Sequence, residues 1–87
     1  MLNLGGADPR LVQKIGALSA RIVEDALASG LTWDQAIIAF GVAAKAVSAN
    51  AATQGGGGTP QDYATLAEKR LKEGMDRGAD VLKAYLS

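Results

Sequence analysis

Lys45 and Ser48 stand three residues apart in an alanine-rich stretch. At that spacing a lysine amine and a serine hydroxyl could share a helix face as base and nucleophile. No oxyanion-hole candidate accompanies them. A lysine snorkelling to the edge of an apolar face, with the serine bonded to its own backbone, explains the same residues. Asp76 and Asp80, four apart, could share a divalent cation, but Arg77 and Lys83 flank them and two carboxylates are few ligands for such an ion. The run Gly55-Gly56-Gly57-Gly58-Thr59-Pro60 joins glycines to a helix start, where free N–H groups favour anions. No strand precedes it and no Gly-Lys-Ser/Thr follows, so a phosphate loop is not indicated. Trp33 and Phe40 could line a ligand pocket, although aromatics at that spacing ordinarily form core. Glu24 and Asp25 lie beside Arg21 on a charged helix side and read as a solvated face.

Composition narrows the chemistry further. The 87 residues include no cysteine and no histidine. Disulfides, thiolate nucleophiles, imidazole bases and cysteine or histidine zinc sites are therefore excluded. The 9 basic and 9 acidic residues balance, which removes the electrostatic footprint of a dedicated nucleic-acid or anionic-membrane binder. No catalytic, cofactor-binding or metal-ligating residue is assigned, and the chain is expected not to be an enzyme.

The elements that would position these residues read as one all-α domain over residues 1–87. Residues 1–8 form an arm in which Leu2 and Leu4 can dock and Gly5-Gly6 can hinge. Asp8-Pro9 starts helix one, with aspartate as N-cap and proline at the first helical position, and the helix spans 9–29. Leu11, Val12, Ile15, Leu18, Ile22, Val23, Ala26 and Leu27 share one side of it. Gly16 and Ala20 sit at the edge of that side and invite close approach by a neighbour, and Gly30 supplies the left-handed residue after the end. Thr32-Trp33-Asp34-Gln35 reads as a capping box opening helix two over 32–53. With so short a connection, the first two helices are expected to form a hairpin.

Helix two carries Trp33, Ile37, Phe40, Ala44, Val47 and Ala51 at alternating spacings of four and three, a packing seam. Ile38, Val42 and Ala49 lie opposite, interrupted by Lys45, for which a buried or interfacial salt bridge is expected, to Glu24 or Asp25 across the hairpin or to an acidic partner. After a glycine-rich loop over 54–59, Thr59-Pro60 starts helix three over 60–86. Its polar side offers ion pairs at Glu68–Lys72, Lys69–Glu73, Glu73–Arg77 and Asp80–Lys83. Gly74 and Gly78 fall on its apolar side, each at a propensity cost of about 1 kcal/mol, so close approach to helix two is expected there. At 1.5 Å per residue this helix runs about 40 Å, and its Val81, Leu82, Tyr85 and Leu86 end is expected to overhang and pack on a second copy. The fold expected is a three-helix antiparallel bundle with an apolar, alanine-rich central helix, completed by oligomerisation.

Residues 30–50 resemble the helix-turn-helix of phage-repressor-type DNA-binding proteins, through Thr32 as cap, Phe40-Gly41-Val42 at the turn and Val47 within the second helix. The resemblance implies DNA binding through Ala43, Ala44, Lys45, Ala46 and Ala49, positions with little hydrogen-bonding capacity. The sequence departs from the pattern at Ile37, where a small residue is wanted, at Ala43 in place of a capping serine or threonine, and at Asn50 in place of an apolar residue. Without a cap after Gly41, one continuous helix is expected.

The function expected is that of a small regulatory or inhibitory protein acting by protein–protein contact and self-association. Compact, cysteine-free helical chains of this size are common among phage and mobile-element products that block host machinery. The candidate interface is Trp33, Ile38, Val42, Lys45, Ala49, Val81, Leu82, Tyr85 and Leu86. The alternatives are a DNA-binding regulator at residues 30–50 and an oligomer that holds a small anion at the 55–63 loop. The opening residues show neither the basic nor the apolar region of a secretory signal, and the longest apolar run, 36–44, is about half a membrane span. A cytoplasmic location with no membrane partner is the expectation.

Overall fold

Local capping chemistry sets where each helix begins and ends. A computed structural model of the chain describes residues 8–55 and 57–87. Residues 1–7 of the expected 1–8 arm, with its Gly5-Gly6 hinge, lie outside the described residues, as does Gly56. Three α-helices, α1 (Pro9–Ala28), α2 (Trp33–Thr53) and α3 (Pro60–Leu86), account for the regular structure, with no strand among the described residues. The fold class is all-α.

The Asp8 carboxylate accepts the Arg10 N–H at 2.9 Å, satisfying a donor that the first turn of α1 leaves free. At the far end Ser29 closes the helix and Gly30 takes φ +78, a left-handed conformation that glycine adopts without steric cost. The capping box of α2 is complete, with the Thr32 N–H donating to Gln35 Oε1 at 3.0 Å and the Gln35 N–H donating to Thr32 Oγ1 at 3.4 Å. Gln54 and Gly55 end α2, with Gly55 at φ +87. The helix runs unbroken through Gly41. The resemblance to a helix-turn-helix therefore stops short of its defining turn, and no separate recognition helix exists.

The start of α3 repeats the device of α2 with an acid. The Thr59 N–H donates to Asp62 Oδ2 at 3.0 Å, and the Asp62 N–H donates to Thr59 Oγ1 at 3.2 Å.

Contacts group the chain into two compact units, Met1–Gly30 with Met75–Ser87, and Leu31–Gly74. In the first, α1 turns Val12, Ile15, Gly16, Ser19 and Ala20 away from solvent, and Gly16 and Val81 are buried. The contact is close at Gly16, where an added Cβ would stand 2.5 Å from Tyr85 Cβ. The Gln13 side-chain amide donates to the Ala84 carbonyl at 3.4 Å beside it. The end of α3 therefore does not overhang, because Ala84 and Tyr85 are engaged by α1. The polar partner found for Glu73 is Arg70, at 2.6 Å, rather than Lys69 or Arg77.

The second unit is built on small residues. Ala36, Ser48 and Ala64 are buried, and Phe40, Ala44, Ala51, Tyr63 and Ala67 are half-buried. Alanine and serine at the contact let helix backbones approach closely, at the cost of little apolar area per residue. Gly74 does not serve this purpose, since a Cβ on it would meet nothing within 4 Å among the described residues, and the same holds of a Cβ on Gly78 in the first unit. Among the described residues no large side chain is fully buried in either unit.

Candidate interaction surface

The Ser48 hydroxyl is buried and donates to the Lys45 backbone carbonyl at 2.8 Å, so its proton is committed to its own helix. Lys45 forms no ion pair within its own unit among the described residues. With Gly41, Ala44, Ser48, Ala64, Ala67, Glu68 and Leu71, it lines a shallow, open groove of about 250 Å³. No group of three or more histidine, cysteine, aspartate or glutamate side chains is placed to hold a metal ion among the described residues, so Asp76 and Asp80 gain no third ligand.

The loop before α3 is likewise occupied by the protein's own groups. Asp62 accepts the N–H that would greet an anion and places a carboxylate at the positive end of the helix. A small anion at residues 55–63, the alternative named above, would have to share that helix start with a carboxylate.

Asp34 is the titratable group with a perturbed carboxyl. The Thr32 hydroxyl donates to Asp34 Oδ1 at 2.5 Å. That bond, with the N–H groups of Asp34 and Gln35 at the helix start, holds the carboxyl below the usual aspartate range.

What remains is apolar surface. On α2, Ile38 is 68%, Val42 65%, Val47 71% and Trp33 80% exposed. The expected seam therefore holds at Phe40, Ala44 and Ala51 but not at Trp33, Ile37 and Val47, because Ala36 and Ser48 take the inner positions and turn Ile37 and Val47 outward. Ala49 and Lys45 are exposed beside Ile38 and Val42. On α3 the expected group divides: Val81 is buried and Tyr85 packs on Gly16, while Leu82 and Leu86 are exposed. Arg70, which pattern reading passed over, is half-buried in line with Tyr63 and Ala67. The three-four spacing of those positions is the signal that marks it.

No protein-family model, curated protein or solved structure matches the chain significantly. By length and composition alone α2 could cross a membrane, its most apolar 18-residue window having a mean hydropathy of 1.4. The short run at 36–44 understates this, since alanines extend the apolar character on both sides of Lys45.

Proposed function

We propose that this chain is a non-catalytic interaction protein, a small regulatory or inhibitory module that works by presenting apolar helix faces to another protein and to copies of itself. The observation that carries this reading is the exposure of large apolar side chains along all three helices, with none fully buried. A folded chain keeps such surface when a partner covers it, because each large side chain left in water forgoes about 1.5–3 kcal/mol of burial. The occupied helix starts and the committed Ser48 proton support a role without catalysis. An antiparallel three-helix bundle completed by self-association is the arrangement that fits this role.

The test is affinity capture from the source cell with the intact chain and with Ile38→Asp, Val42→Asp and Leu86→Asp variants whose helicity matches it. Loss of a captured protein with one or more variants is expected. Capture that is the same for all of them removes the reading.

A further inference from the structure

We propose that the outward face of α2 is a self-association surface, on which two copies of the chain pair antiparallel with Asp34 of each meeting Lys45 of the other. The proposal deepens the reading above by naming one partner, a second copy. Asp34, Ile38, Gly41, Val42 and Lys45 fall within an arc of about 100° when successive residues turn by about 100°. Asp34 and Lys45 are 11 residues apart on that arc, about 16 Å along the axis. Between them lies the exposed apolar surface of Ile38 and Val42.

A negative charge at one end of an apolar stripe and a positive charge at the other make the stripe complementary to itself, but only when the second copy runs the opposite way. A parallel pair sets Asp34 against Asp34 and Lys45 against Lys45. The antiparallel register that joins Asp34 to the partner's Lys45 also sets Ile38 beside the partner's Gly41. Gly41 fits that register. It lies inside a helix, where glycine costs about 1 kcal/mol relative to alanine, and, as at Gly74 and Gly78, a Cβ there would meet nothing within 4 Å among the described residues. At Gly41 the open space stands opposite the partner's exposed isoleucine, which it can admit. Two-fold symmetry repeats both contacts, giving two ion pairs and two isoleucine–glycine contacts around one axis. Only about four helical turns overlap, so the interface lies at the small end and the dimer is concentration-dependent.

Sedimentation equilibrium of the intact chain from about 10 μM to about 500 μM tests this, with circular dichroism to match helicity. The native chain is expected to dimerise reversibly. Asp34→Lys and Lys45→Asp are each expected to weaken the dimer by about tenfold or more, since each sets like charges together twice. Mixing the two variants is expected to restore pairing, because each copy then carries the charge the other lacks. Gly41→Leu, which fills the notch at a position where a Cβ meets nothing within 4 Å among the described residues, is expected to abolish the dimer with helicity retained. A native chain that stays monomeric throughout, or a dimer whose affinity is unmoved by the charge swaps and by Gly41→Leu, overturns the proposal. So does a monomer that co-sediments with phosphatidylcholine–phosphatidylglycerol vesicles and loses them on Ile38→Asp, which assigns the face to lipid. A monomeric chain that still loses a captured protein on Ile38→Asp overturns self-association alone and leaves the broader function standing.

Discussion

The Tyr85 side chain, in the last turn of α3, lies across Gly16 of α1 so closely that a methyl group on Gly16 would stand 2.5 Å from Tyr85 Cβ and 2.6 Å from Cγ. Real side chains do not share space at that distance, so the glycine is a condition of the contact. Gly16→Ala pits a helix-propensity gain of about 1 kcal/mol against overpacking of about 1–3 kcal/mol. A net loss of about 1 kcal/mol is expected in urea unfolding. In a Tyr85→Ala background the same change is expected to become stabilising, because only the propensity term survives. A Gly16→Ala penalty that persists without the ring contradicts the contact.

Gly74 and Gly78 are expected to behave in the opposite way. Nothing would meet a Cβ on either, so Gly74→Ala and Gly78→Ala should each stabilise by about 0.5–1 kcal/mol. For a domain of this size that amounts to several degrees in Tm by differential scanning calorimetry. A fall in Tm for either would show that the position is occupied.

Ser48→Ala is expected to change stability by less than about 0.5 kcal/mol in either direction. The hydroxyl bonds to a carbonyl of its own helix, and alanine offsets the lost bond with better propensity. A large loss in thermal unfolding would mean that Ser48 bonds across the contact.

The Asp34 carboxyl titrates low because the Thr32 hydroxyl donates to it first and backbone N–H groups assist. A depressed folded-state value favours the folded state above the unfolded aspartate value of about 3.9. That contribution is lost as pH falls through the lower folded value. An NMR titration of Asp34 is expected to find its midpoint below about 3.9, and Thr32→Val is expected to move it upward. An unchanged midpoint in the variant would remove the threonine as cause.

These contrasts show which parts of the fold were legible in the sequence. The helix starts at Asp8, Thr32 and Thr59 were readable because a cap bonds residues two or three positions away, within the sequence signal itself. The glycines were legible only in part: Gly16 was readable as a point of close approach and meets Tyr85, whereas Gly74 and Gly78 invited the same reading and meet nothing. Gly16, Gly74 and Gly78 carry the same propensity cost, and the one that meets a neighbour is decided by where two helices touch. The seam of α2 was readable as a direction but not as a set of residues. In an alanine-rich helix, inner positions go to whatever lets backbones come close, which favoured Ala36 and Ser48 over Ile37 and Val47. For the candidate surface, Ile38, Val42, Ala49 and Lys45 could be named from their separation from the seam. Val81 and Tyr85 could not be removed from it without the contact at Gly16.

Residues of α3 contribute to both compact units, and the two ask different things of a folding chain. In the Leu31–Gly74 unit, the partners are neighbours in sequence, joined by a short loop. Gln13 and Ala84 in the other unit are 71 positions apart. Closing a loop of that length costs about 1.5–2 kcal/mol more entropy than closing one of about ten residues. The local pairing is therefore expected to form before the pairing of α1 with the end of α3, and hydrogen exchange is expected to show the latter opening at lower free energy.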